Sequence, residues 1–171
     1  DYKYKNNTPF NSWSINITGD DLIEIFNSGG LIGISLDERI LASEKVIEEY
    51  RFKVRHKIIK SEEQKKNYWG NQIIENILQM VKFLDKNLKN SPIEKPKIWD
   101  IFAIGSDFDG IINPIDPFPT ALFFNDLYNT IVRLLPTNNL FKRLSFDYTA
   151  KEIADKICYK NAYNFLYKYF S

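Results

Sequence analysis

Ile101-Phe102-Ala103-Ile104-Gly105-Ser106-Asp107-Phe108-Asp109-Gly110 is the stretch on which the reading of this chain turns. An apolar run beginning at Ile98 and ending at Gly105 predicts a strand over 98–105, buried on both faces. It stops abruptly in a polar cluster flanked by glycines, which permit a tight backbone turn. In parallel α/β folds, ligands bind beyond the C-terminal ends of the strands. Asp107, the first acidic residue past this strand, is therefore placed to hold a metal or move a proton, and Asp109 to touch a substrate. The competing reading is that either aspartate caps the following turn through its side chain.

Upstream, Leu31-Ile32-Gly33-Ile34-Ser35-Leu36 is a second short apolar run, again read as a strand buried on both faces. It ends in Asp37-Glu38-Arg39, on the rim that Asp107 would share. Adjacent residues of extended chain point to opposite sides, so at most one of Asp37 and Glu38 faces the centre as a substrate contact. A solvated charge cluster is the simpler reading. Before this strand, Thr18 with Asp21 predicts the N-terminus of a short helix stopped by Gly29-Gly30. Residues 1–17 read as loop.

Between the strands, helical spacing predicts one helix over about 43–59 and a second over about 61–89. Ser61 with Gln64 forms a capping box, Gly70 marks where the second helix would break, and Pro92 and Pro96 close the segment. Downstream, a loop with Pro114, Pro117 and Pro119 leads to a helix over about 120–135. Thr149 with Glu152 opens a helical region ending at Phe170. Strands joined through helices pair in parallel, an α/β pattern. Two strands cannot flank each other on both edges. The expectation is a single partial domain over 1–171, completed by chain absent here or by self-association.

Composition narrows the chemistry. The 171 residues hold 23 Lys+Arg against 22 Asp+Glu, so no global field attracts nucleic acid. One Cys forbids an internal disulfide and a thiolate cluster, and one His forbids any site needing two imidazoles from this chain alone. No apolar stretch reaches ~18 residues, so no membrane span is expected. His56 lies among basic residues and reads as a surface or packing histidine. Cys158 reads as a small buried apolar side chain. The basic segment 45–66 reads as a solvated helix face. The sequence assigns no compartment, with the cytoplasm favoured.

The segment IFAIGSDFDGI at 101–111 resembles the last barrel strand of membrane-dipeptidase-like metal hydrolases of the amidohydrolase superfamily, whose strand ends in G-[GS]-D-F-D-G. SINITGDDLIEIFNSGGLIGISL at 14–36 is similar to an upstream segment of that family, and KEIADKICYKNAYNFLYKYF at 151–170 to its closing helices. The resemblance implies the C-terminal quarter to third of a (β/α)8 TIM-like barrel, whose full length is ~250 residues. It implies Zn2+ or another divalent metal, held mostly by histidines outside this chain, with Asp107 orienting and deprotonating a metal-bound water. The reaction implied is hydrolysis of an amide, peptide or related C–N or ester bond in a small-molecule substrate. The family's Arg before Asn is missing: Ser14 and Ile15 precede Asn16, which puts dipeptide specificity in doubt.

Two other readings compete. One is a non-catalytic barrel relative that binds a ligand or partner. The other is a haloacid-dehalogenase-like phosphatase, with Asp107 as nucleophile and Asp109 as acid/base. Against it, Ile111 stands where that motif has a hydroxyl or small residue, and only 61 residues follow Gly110.

Overall fold

A computed structural model describes residues 16–88 and 95–170. Helix α1 (Gly19–Ser28) begins as expected: Asp21 N–H donates to Thr18 Oγ1, and Thr18 N–H donates back to the Asp21 carboxylate at 2.7 Å. It ends at Gly29, whose φ of +70° is left-handed. Strand β1 (Ile32–Ile34) follows, then α2 (Glu38–Leu41), α3 (Glu44–Arg55) and α4 (Glu62–Asn87). The Ser61–Gln64 capping box is present. Helix α3 stops at His56, earlier than the spacing suggests.

Gly70 does not break α4. A Cβ there would lie 2.5 Å from Thr130 Cγ2 and 2.9 Å from Leu134 Cδ1. The glycine is needed where α4 crosses α5 (Phe124–Leu134), and the helix continues through it. Trp69, Ile73, Ile77, Val81 and Leu84 line the buried side of α4 at near four-residue spacing. This helix is the spine of the core, each fully buried apolar side chain contributing about 1.5–3 kcal/mol relative to exposure.

The second strand is shorter than expected. Lys95–Ile101 is a 3-10 helix, and only Phe102–Ile104 forms β2. The reason is the burial pattern: Ile98, Trp99, Ile101 and Phe102 are buried while Asp100 turns outward to Lys156. That spacing of one, three and four is one side of a helical turn, not strand alternation. Trp99 Nε1 donates to Leu144 O at 2.8 Å, and Asn161 Nδ2 donates to Trp99 O and Phe102 O at 2.7 and 2.8 Å. Pro92 lies outside the described residues.

β1 and β2 pair in parallel, Ile32 with Phe102, Gly33 with Ala103 and Ile34 with Ile104. The chain is mixed α/β and mostly helical, with these two strands as the only sheet among the described residues. β1 is not buried on both faces: Ile32 and Ile34 are covered, and Gly33 between them is exposed. The Ile32, Ile34 and Phe102 side chains join the core. The opposite face carries only Gly33 and Ala103.

Downstream, α5 is flanked by 3-10 turns at Ala121–Phe123 and Leu135–Thr137, close to the expected 120–135. Helix α6 (Asn139–Leu144) was not expected; the Asn138 side chain caps it by accepting from Leu140 N–H at 2.8 Å. Helices α7 (Ala150–Asp155) and α8 (Asn161–Phe170) are joined by a π-helical turn at Lys156–Lys160, and the Thr149–Glu152 capping box opens them. Tyr159, Tyr163 and Tyr167 are exposed and stack in series, with centroids 5.6 and 6.2 Å apart. No helix among the described residues is long and apolar enough to cross a membrane.

The crossing at Gly70 sets a test. Gly70→Ala should lower unfolding stability in urea by about 1–2 kcal/mol, because overpacking of about 1–3 kcal/mol outweighs the helix-propensity gain of about 1. Adding Thr130→Ser, which removes the clashing methyl, should restore part of the loss.

Candidate functional site

Because the strands are parallel, Ser35-Leu36-Asp37 and Gly105-Ser106-Asp107 leave the sheet at the same end. The loop after β2 then folds back over the first of these exits. Ile115 N–H donates to Leu36 O at 3.0 Å, Glu38 N–H donates to Asn113 O at 2.9 Å, and Asp37 bridges to Pro114 in antiparallel sense. Ile115, Pro117 and Phe118 anchor this loop by burial. Tyr50 holds it from the side, its hydroxyl donating to the Asp116 carboxylate at 2.7 Å.

Asp37 is the centre of the arrangement and is only 2% exposed. Its carboxylate accepts from Arg39 N–H at 2.8 Å, from Arg39 Nε at 3.0 and 3.1 Å, and from Asn113 N–H at 3.3 Å. The Arg39 guanidinium also donates from Nη2 to Asp37 and, at 3.0 Å, to Ile111 O. Burial by itself would raise the Asp37 pKa. The Arg39 side-chain and backbone donors and the Asn113 N–H outweigh it and hold the carboxyl below its ordinary value. The solvated-cluster reading therefore fails for Asp37, which is a buried tie between the two rim loops. Glu38 points elsewhere and pairs with Arg51; it is the first residue of α2, so the helix start and not strand alternation separates it from Asp37.

Asp107 is the opposite kind of acid. It is exposed, its backbone is left-handed at φ +59°, and among the described residues its carboxylate has no hydrogen-bond or ion-pair partner. The turn that follows is closed by backbone, Gly110 N–H donating to Asp107 O at 3.0 Å, and not by the aspartate side chain. Gly110 leaves room for the carboxylate: a Cβ there would lie 2.6 Å from Asp107 Oδ1. Phe108 pins the turn, its ring centroid 5.9 Å from that of Phe124. Asp109 is exposed at the tip of the turn.

The other singled-out residues lie apart from this chemistry. His56 caps α3, with Nδ1 2.9 Å from Phe52 O and its ring stacked on Phe52. Cys158 is half-buried in the π-helical turn, and burial pushes its thiol up to about 12, away from thiolate reactivity. Basic residues of 45–66 pair with carboxylates: Lys66 with Asp126, and Lys65 with Glu62 and Asp116. Ser14 and Ile15 lie outside the described residues. Sequence reading treated Arg39 only as part of a charge cluster; its spacing two residues after Asp37 was the available signal. The Asn113 N–H and the Ile111 carbonyl carry no side-chain signal at all.

Among the described residues, no group of three His, Cys, Asp or Glu side chains converges to hold a metal ion. Comparison with protein-family models, with curated proteins and with solved structures finds no match in any of the three.

The Asp37 tie should be visible in acid. A carboxyl whose pKa is lowered on folding stabilises the fold fully above its unfolded value, ~3.9, and loses that contribution as pH falls through the folded value. Asp37→Asn should cost about 1–3 kcal/mol at neutral pH, the value of hydrogen bonds to a charged group. The gap in urea midpoint between parent and variant should shrink as pH falls below ~4.

Proposed function

We propose that this chain is the C-terminal part of a (β/α)8 barrel, from a metal-dependent hydrolase of the amidohydrolase superfamily similar to the membrane dipeptidases. The observation that carries the reading is the contrast between the two rim acids. Asp37 has both carboxylate oxygens engaged by Arg39 and backbone donors, while Asp107 stands exposed past the end of β2, with no carboxylate partner among the described residues. A carboxylate with free lone pairs, held on a left-handed turn past a strand end, suits a proton acceptor or a ligand; a saturated one suits neither. The parallel pairing and the helix-covered face of the sheet agree with a barrel wall.

The described residues do not by themselves make a metal site. A catalytic zinc takes three protein ligands, and no three candidate side chains converge among the described residues. In this reading, further ligands come from outside the described residues or from a partner. What this chain supplies is Asp107, which accepts a proton from an attacking water and returns it to the leaving nitrogen of an amide or peptide-like substrate. Asp109, two residues on, contacts the substrate from the solvent side.

A second reading is a barrel relative that binds a ligand or partner without catalysis. The loss of the family's carboxylate-anchoring Arg, with Ser14 and Ile15 before Asn16, favours it. The two separate in the full-length protein, assayed on dipeptides with added Zn2+. Asp107→Asn should lower kcat about 100-fold or more while leaving the melting temperature unchanged. Turnover close to that of the parent refutes the role given to Asp107, and a parent without hydrolytic activity supports the binding reading. The 171-residue chain alone should hydrolyse nothing under the same conditions.

A further inference from the structure

The turn between α3 and α4 concentrates one sign of charge. Residues 51–60, RFKVRHKIIK, hold five of the chain's 23 Lys and Arg and no Asp or Glu. Arg51 pairs with Glu38 and Lys53 with Glu49. Arg55, Lys57 and Lys60 are exposed and have no carboxylate partner among the described residues. Glu44 and Glu48 lie in the first half of α3, away from the turn. The acids that follow are engaged elsewhere, Glu62 by Lys65 and Glu63 by Arg133. Residues 1–15 and 89–94 contribute two acids, Asp1 and Glu94, against three lysines, so they do not offset the excess.

Apolar side chains stand among these cations. The N–H groups of Ile58 and Ile59 both donate to Lys53 O, at 2.8 and 3.1 Å, and Lys57 is left-handed at φ +54°. The turn so closed packs Val54 and Ile59 against the core and leaves Ile58 55% exposed at its tip. Phe52, in the last turn of α3, is 49% exposed and stacks on His56. Single exposed apolar residues are common on any surface. Two of them within seven residues, set among five cations and no acid, make a surface that is cationic and apolar together.

Such a surface calls for an anionic partner. Phospholipid headgroups take the cations, and the bilayer interface beneath them takes partly exposed apolar side chains. A nucleic acid takes the cations but leaves Ile58, which has no ring to stack on a base, in water. We propose that the α3–α4 turn docks on an anionic phospholipid surface, with Arg55, Lys57 and Lys60 at the headgroups and Phe52 and Ile58 in the interface. Each Lys or Arg near such a surface strengthens binding about fivefold. The net charge of the chain is only +1, so the attraction is local to this turn. It does not involve Asp107 and stands apart from the hydrolase reading.

The test is co-sedimentation of the 171-residue chain with vesicles of phosphatidylcholine and phosphatidylserine in three-to-one ratio, against vesicles of phosphatidylcholine alone. Binding to the anionic vesicles should be at least tenfold tighter. It should fall at least tenfold when KCl rises from about 0.1 to about 0.5 M, as screening shortens the reach of the surface charge. Arg55→Gln, Lys57→Gln and Lys60→Gln together should weaken it at least tenfold, and Ile58→Ser at least threefold. Circular dichroism should be unchanged in both variants, since all four side chains are exposed. Equal sedimentation with both vesicles, or none with either, overturns the proposal. Full binding by the triple variant overturns the location. Vesicle binding unchanged in Ile58→Ser, or tighter binding to a short single-stranded RNA than to vesicles at equal salt, overturns the lipid as partner.

Discussion

The carboxylate of Asp37 is the point on which the functional end of this protein rests. It is buried, yet it receives donors from its own turn, from the Arg39 guanidinium and from the backbone of Asn113, far along the chain. A buried carboxylate without such donors would be costly, and without Asp37 the donors would lose their partner. Arg39 is 40% exposed, so the Coulombic part of the pair is screened by water. The value of the arrangement is geometric. It starts α2, seats the loop after β2 against the exit of β1, and through Ile111 fixes the far side of the turn that presents Asp107.

That division of labour separates two acids that look alike in sequence. Both follow a short apolar strand, and both stand near glycine or serine. Asp37 lies where two loops converge and shares its oxygens among neighbours. Asp107 lies where the chain turns sharply outward, and the turn is closed by backbone atoms, which leaves its oxygens open. The close pass of Gly33 and Gly105 belongs to the same design: a Cβ on Gly105 would sit 2.9 Å from Gly33 Cα. The chain leaves β2 so near to β1 that a side chain on Gly105 would force the backbones apart, and one on Gly33 would be tight at 3.3 Å from Gly105 Cα.

What the sequence made legible was local. The three capping boxes at Thr18, Ser61 and Thr149 involve partners three residues away, and all three form. The exposed turn at Asp107 was legible because a strand end followed by a glycine turn is a short-range pattern. What stayed hidden depends on distant neighbours. Gly70 looked like a helix break, since its contact with Thr130 is invisible without the fold. The apolar run 98–105 looked like one strand, although its first half is wound so that Trp99 reaches Leu144. Asp37 looked solvated because its cover comes from residues 111–115.

The parallel pairing of β1 with β2 also governs how this chain reaches its fold. Seventy residues separate Ile32 from Phe102, which pair directly. Closing a loop of that length costs about 4 kcal/mol in chain entropy before a constant term. Three paired residues return little against that cost at the moment of closure. Helix α4 and its contacts with α5 hold the two strands within reach, so the pairing rests on the helical core. A rim that joins two segments seventy residues apart in the chain therefore depends on the helical core that holds those segments together.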